Sequence, residues 1–299
     1  MASRNLLSLA VVAVFAWLAT AAVSNSQDVA ATGTAPALWE IRDTDTTLYL
    51  FGTIHLLKRG ADWRTPRLDQ ALGSADEVWL EAEDPDSAAL QPLIMELGVD
   101  AANPLSGKLT VQEKAQLRAA TAAIGMPPNG LDPMRPWLAA LTLAVVPIVQ
   151  AGYDPALGVD KAVRAAATEA GTPVRTFETA EQQMGLLADL SEELQMQLLR
   201  STLEDLEEGP SMVERLAAAW ASGDSAAIEA LMLAELRTDA EPLYQALIAG
   251  RNAAWAEILN DRLKDPGIAF VAVGAGHLVG PDSVQTMLAG DSVTVTRLQ

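Results

Sequence analysis

The sequence predicts an α/β fold with a mixed central sheet, built from the N- and C-terminal parts of the chain with a large helical insertion between them. Three observations predict it. Alternating and continuous apolar runs, the marks of strands, gather near the two ends, at 38–81 and 268–296. Most of 90–170 and 179–264 carries apolar residues at helical spacing instead. Each β region also holds a strand that runs directly into a glycine and then a histidine.

The elements follow in order. Arg4, an uncharged run from Leu6 to Val23 and the small residues Ala22-Val23-Ser24 predict a signal peptide over 1–24. A membrane anchor left uncleaved competes with it, because the run approaches the roughly 20 residues that span a bilayer. Either reading places the rest of the chain in the periplasm or outside the cell. Residues 25–36 are small and polar and predict a disordered tether to one domain over 37–299. Leu38–Arg42 and Leu48–Phe51, separated by the turn formers Asp43-Thr44-Asp45-Thr46, predict a hairpin. Leu68–Leu72 predicts a short helix and Glu77–Glu81 a strand. Helices are expected over Leu109–Ile124, Pro136–Gln150 and Val159–Ala170, each closed by glycine or proline signals or followed by a glycine. Val174–Phe177 predicts a short strand. Breaks at Ser191, Gly209-Pro210 and Gly223-Asp224 divide the next helical stretch, and Leu243–Leu263 is its last helix. Ile268–Val273 is apolar throughout, as a strand buried on both faces must be. A helix over Pro281–Leu288 and a strand over Ser292–Thr296 close the chain. The tryptophans on these elements, Trp63, Trp79, Trp137, Trp220 and Trp255, read as core; Trp63 follows the first histidine turn, where lining the cleft is the alternative.

Composition excludes several functions. A formal net charge of -19, with no lysine–arginine cluster, opposes binding to nucleic acid or to acidic membrane surfaces. The chain has no cysteine, which removes disulfides, thiolate nucleophiles, zinc–cysteine sites and iron–sulfur clusters.

The chain has only two histidines, His55 and His277, and both stand in Gly-x-x-His: Gly52-Thr53-Ile54-His55 and Gly274-Ala275-Gly276-His277. Glycine allows a sharp turn as each strand leaves the sheet. The histidines then lie past the carboxyl ends of strands, where open α/β sheets bind ligands. A lone histidine in such a turn reads as structural; two in the same pattern point to one shared site. Two imidazoles alone make a poor catalytic metal site, which also needs a carboxylate and an open position. Glu81 is the first candidate, because it ends a strand and shares a face with Trp79. Glu83 and Asp84 follow it in a loop and read as solvated. Arg251, read alone, is a helix-surface residue paired with Glu257 or Asp261.

Leu48–Leu57 resembles the first signature of the TraB/GumN family, which includes the Tiki metalloproteases, and Gly274–Gly280 resembles the second. Glu81, Arg251-Asn252, Tyr153-Asp154-Pro155, Gly158-Val159-Asp160 and Phe177-Glu178-Thr179 fit the same pattern, and the likeness spans about 37–298. The resemblance implies a fold similar to the erythromycin-esterase and ChaN-like proteins. It implies a site of His55, Glu81, Arg251 and His277, and a divalent ion such as manganese or cobalt; histidine with carboxylate suits zinc and iron as well. On this expectation His55, His277 and Glu81 hold the ion, which lowers the pKa of a bound water and polarises a carbonyl. Glu81 serves alternatively as general base. Arg251 stabilises the oxyanion. The substrate would be a peptide or small molecule. Asp160 and Glu178 read equally well as helix caps and are left outside the site. A haem- or peptide-binding protein and a metal-independent esterase remain open as alternatives.

Overall fold

A computed structural model describes residues 35–85, 87–206, 208–289 and 293–299. The expected signal peptide and most of the expected tether lie outside the described residues. Ala35 and Pro36, also assigned to the tether, are already packed: Pro36 is buried and its carbonyl accepts from Gln299 Nε2 at 2.9 Å.

The N-terminal hairpin forms as predicted. β1 (Leu38–Arg42) pairs antiparallel with β2 (Thr46–Thr53), and the Asp43 carboxylate accepts from the backbone N–H of Asp45 and Thr46 to fix the turn. A two-residue strand, β3 (Leu57–Lys58), follows, then α1 (Pro66–Gly73), capped by the Thr65 side chain, and β4 (Glu77–Ala82). The helical insertion is divided. Its first part holds α2 (Ser87–Gly98), α3 (Val111–Ala123), α4 (Pro136–Gln150), β5 (Tyr153–Asp154) and α5 (Val159–Ala170). β6 (Val174–Glu178) then returns to the sheet. The second part holds α6 (Ala180–Ala188), α7 (Glu192–Asp205), α8 (Gly209–Ala221), α9 (Ser225–Met232), α10 (Ala234–Asp239), α11 (Glu241–Tyr244) and α12 (Gly250–Arg262). β7 (Gly267–Gly274), α13 (Val284–Leu288) and β8 (Thr294–Arg297) complete the chain.

The sheet has the order β6-β4-β7-β2-β1-β8, and β3 with β5 makes a separate two-stranded pair. β6, β4, β7 and β2 are mutually parallel, so their carboxyl ends share one edge. Helices cover both faces. Phe51, Val78, Leu80, Phe270 and Ala272 pack toward α5 and the helical insertion. Leu48, Leu50, Ala269, Val271 and Val273 pack toward Trp255 and Leu259 of α12 and toward α13. The alternation of β7 between two buried faces explains its unbroken apolar sequence.

One predicted helix differs. Leu243–Leu263 is not a uniform α-helix: Gln245–Ala249 forms a π-turn between α11 and α12. Gly250 N–H bonds back to the Gln245 carbonyl, and a Cβ on Gly250 would lie 2.9 Å from that oxygen. Such turns insert one residue into a helix and often mark functional sites. Here the turn lies directly before Arg251.

Candidate active site at the carboxyl edge of the sheet

Every residue of the site reaches the shared carboxyl edge for a topological reason. β2 leads into His55, Glu81 is next to last in β4, Glu178 ends β6, and β7 leads into His277. α5 supplies Asp160 from one face of the sheet, and α12 supplies Arg251 and Asn252 from the other. His55, Glu81, Arg251, Asn252 and His277 are all buried.

The paired glycines act through space rather than through a turn. Gly52 lies within β2 and Gly274 ends β7 with φ -49 and ψ 135, a conformation open to any residue. A Cβ on Gly52 would lie 3.1 Å from Ala275 Cα; one on Gly274 would lie 3.2 Å from Glu81 Oε2 and 3.6 Å from His277 Cδ2. The bare backbone at 274 lets its N–H donate to Glu81 Oε2 at 2.9 Å. Gly158 does the same for α5. A Cβ there would lie 2.8 Å from both the His55 carbonyl and Asp160 Oδ1, and Val159 N–H donates to the Ile54 carbonyl at 3.0 Å.

Arg251 is the hub. Its Nε and Nη2 donate to the two oxygens of Glu178 at 2.7 and 2.8 Å, and Nη2 also donates to Glu81 Oε1 at 2.7 Å. Nη1 donates to the Leu247 carbonyl, in the π-turn, at 3.1 Å and to His277 Nε2 at 3.1 Å. Trp255 lies beneath the guanidinium, 4.7 Å from its ring centroid, and donates Nε1–H to Glu178 Oε1 at 3.1 Å. The surface pairing with Glu257 or Asp261 read from the sequence is therefore replaced by a buried ion triad. All five guanidinium N–H groups are engaged. The oxyanion role expected of Arg251 finds no free donor in this arrangement.

That saturation fixes His277. Arginine only donates, so His277 Nε2 must accept, and the ring proton sits on Nδ1. Nδ1–H donates to Asn252 Oδ1 at 2.6 Å, while Asn252 Nδ2 donates to the carbonyls of Asp282 at 2.7 Å and His277 at 3.3 Å. Burial and the Arg251 charge push the His277 pKa down to about 3, so the ring stays neutral.

The carboxylates of the triad diverge. Burial would raise Glu81, but Arg251 and the two imidazoles hold it at about 2. Oε1 also accepts from Gln183 Nε2 at 2.9 Å. Burial raises Glu178 despite the bidentate Arg251, and the charge of Glu81 adds to the rise. Glu81 is consequently a poor general base at neutral pH.

His55 is different. Its Nδ1 lies 3.1 Å from Asp160 Oδ1, within ion-pair range although not aligned as a hydrogen bond. Its Nε2 has no hydrogen-bond partner among the described residues. Burial opposes its protonation, but the carboxylates of Asp160 and Glu81 outweigh burial and raise the pKa above 6.5. Asp160, expected as a cap, caps nothing: Gly158 holds the cap position of α5, and the α6 cap is Thr179 rather than Glu178.

The three-ligand metal centre expected from His55, His277 and Glu81 is not assembled in this arrangement. Among the described residues, no three histidine or carboxylate side chains converge as metal ligands. The reason is Arg251, whose N–H occupies the His277 lone pair that a metal would take and whose positive charge lies against it. Of the three expected ligands, His55 at Nε2 and Glu81 at Oε2 keep electron pairs to offer.

Glu178 and Asp160 thus join the site, as do Asn252, Gln183 and Trp255. Glu178 ends its strand much as Glu81 does, so a strand-end carboxylate is the sequence signal that marks both. Gln183 carries no such signal, being one polar residue among several on α6.

The TraB/PrgY/gumN family model matches residues 37–297. Among curated relatives, the uncharacterized protein YbaP of Escherichia coli (strain K12) is 25% identical over 240 residues, covering 80% of this chain and 87% of its own. An uncharacterized protein of Treponema pallidum (strain Nichols) is 24% identical over 263 residues, covering 82% of this chain and 78% of its own. No solved structure matches. With the two Gly-x-x-His segments and the whole sheet inside the matched span, this chain belongs to the TraB/PrgY/gumN family.

Proposed function

We propose that this chain is an exported hydrolase, with a fold like that of the erythromycin-esterase and ChaN-like proteins, that activates a water at His55. The observation that carries this reading is His55 itself, a buried imidazole with a carboxylate beside one nitrogen and nothing bonded to the other. This is the arrangement a general base requires. The ring borders a small cavity of about 20 Å³, also lined by Glu81, Asp160, Arg164 and Gln183. A single water needs only about 10–15 Å³. Two of its lining residues carry buried acceptors, Asp160 Oδ1 and Gln183 Oε1, without a hydrogen-bond partner among the described residues.

In this scheme His55 Nε2 takes a proton from the attacking water and returns it to the leaving oxygen or nitrogen as the carbonyl–leaving-group bond breaks, Asp160 steadies the imidazolium, and Gln183 Oε1 orients the water. Arg251, Glu81, Glu178 and His277 do not exchange protons. They are positioning residues that hold the sheet edge rigid beneath the reaction. General-base catalysis contributes about 10²–10⁴-fold. His55→Ala in the chain from residue 25 onward should therefore lose about that factor in hydrolysis of ester and peptide substrates while keeping its circular dichroism. Unchanged turnover in that variant contradicts the reading.

A second reading keeps a divalent ion, manganese, cobalt or zinc, on a metallopeptidase. The open electron pairs of His55 Nε2 and Glu81 Oε2 favour it. Activity abolished by a chelator and restored by one of these ions would select it over the metal-independent scheme.

A further inference from the structure

A second cleft adjoins the His55 turn on the outer side of the start of α5. Its volume is about 420 Å³, within the range of small-ligand sites. Its walls are apolar or small, formed by Leu57, Trp63, Leu157, Ala162 and Ala165. Gly158, which lines it, also touches the back of the catalytic turn, where a Cβ would meet the His55 carbonyl.

Its charge is unlike that of the rest of the molecule. The chain carries 39 acidic residues and a net charge of -19, yet among the described residues no acidic side chain lines this cleft. Two of the five lysines in the sequence do, Lys58 and Lys161. Both are positioned. The register of β3 with β5 sets Lys58 opposite Tyr153, and its Nζ lies 4.8 Å from that ring centroid. Lys161 Nζ lies 3.5 Å from Asp84 Oδ1, and Asp84 lines the His55 cavity, so Lys161 stands between the two spaces. Trp63 is half-buried, with one side stacked on Phe51 at 6.0 Å.

We propose that this cleft is the recognition subsite for the substrate, taking an apolar or aromatic group that carries a carboxylate. The body lies along Trp63, Leu57 and Leu157, and the carboxylate meets Lys58 and Lys161. Naming the occupant a substrate rests on the His55 reading; the binding chemistry of the cleft does not. The lysines confer selectivity between an acid and its neutral analogue: Lys58 has no carboxylate partner among the described residues, and Lys161, which meets Asp84 at 3.5 Å, has further ammonium N–H groups to offer a second acceptor.

The test is equilibrium binding of N-dansyl-phenylalanine and of its amide, followed by dansyl fluorescence at low salt. The acid should bind the wild-type protein about tenfold tighter than the amide. Lys58→Gln with Lys161→Gln should remove that preference while leaving amide binding in place, and Ala162→Trp, which fills the cleft, should weaken both. His55→Ala should keep the preference, so loss of hydrolysis and loss of recognition are read separately. Equal binding of acid and amide, a preference that survives the double lysine variant, or no binding of either probe would overturn the proposal. Both lysines are partly exposed and glutamine keeps much of their length, so circular dichroism of the double variant should match the wild type.

Discussion

Arg251→Met should destabilise the protein by about 3–5 kcal/mol, the usual cost of removing one partner from a buried ion pair. The side chain it replaces is 5% exposed and bridges the buried Glu81 and the largely buried Glu178. Without the guanidinium, Glu81 keeps Gln183 and the Gly274 N–H, but Glu178 keeps only Trp255. His277 loses the donor on Nε2, and the Leu247 carbonyl in the π-turn loses its side-chain partner. Methionine fills much of the volume, so the loss reports charge and hydrogen bonding rather than a cavity. Arg251→Lys should recover only part, because an ammonium cannot make the bidentate contact with Glu178. The pH dependence has a definite sign. Glu81 is held at about 2 against its ordinary 4.5, so its contribution is complete above pH 4.5 and fades as pH falls toward 2. His277, lowered from 6.5 to about 3, adds to acid lability, since the unfolded chain binds its proton first. Urea unfolding measures the effect; a loss below about 1 kcal/mol would mean that the triad is as dispensable as a surface pair.

Trp220→Ala should cost about as much, roughly 3–5 kcal/mol, for a different reason. Trp220 is 2% exposed in α8, its ring centroid lies 6.3 Å from that of Trp63, and its Nε1–H donates to the Gly52 carbonyl at 2.7 Å. Truncation removes a large buried ring and leaves a buried carbonyl unpaired three residues before His55. Trp220→Phe separates the two effects. It keeps most of the ring and removes the donor, and should cost about 1–3 kcal/mol. Because the lost bond anchors the strand that feeds the His55 turn, the Phe variant should also lower hydrolysis. Full stability of the Phe variant, measured by urea unfolding, would show that the Gly52 carbonyl finds another partner.

Much of this architecture is legible in the sequence because local patterns and tertiary structure agree. The apolar run of β7, the hairpin turn at Asp43 and the proline at the start of α4 each carry their own signal, and each element forms where that signal lies. The site is legible in part. His55, Glu81 and His277 stand out as strand-end residues with few competitors. Their division of labour does not, because it depends on how a distant helix is aimed. Arg251 reads as a surface residue until the π-turn and the cover of Trp255 bury it. Asp160 and Glu178 sit where caps are expected, and only their three-dimensional neighbours show that Gly158 and Thr179 take those positions. The glycines of the two histidine segments show the same limit. Their residue type suggests a turn, whereas the structure needs their missing side chains.

The two histidines are chemically unequal: His277 is locked by Asn252 and Arg251, whereas His55 presents an Nε2 without a partner among the described residues. The chain has two histidines, so a long-range ¹H–¹⁵N spectrum of the imidazole nitrogens holds only two ring systems. It reads tautomer and ligation together. The predicted result is one ring fixed as the Nδ1–H tautomer and unchanged from pH 8 to pH 5, assigned to His277 by its loss in His277→Ala, and a second ring that titrates and alone responds to added zinc. Two equivalent rings, or a His277 Nε2 that shifts with zinc as His55 does, would contradict the account and restore the symmetric metal centre.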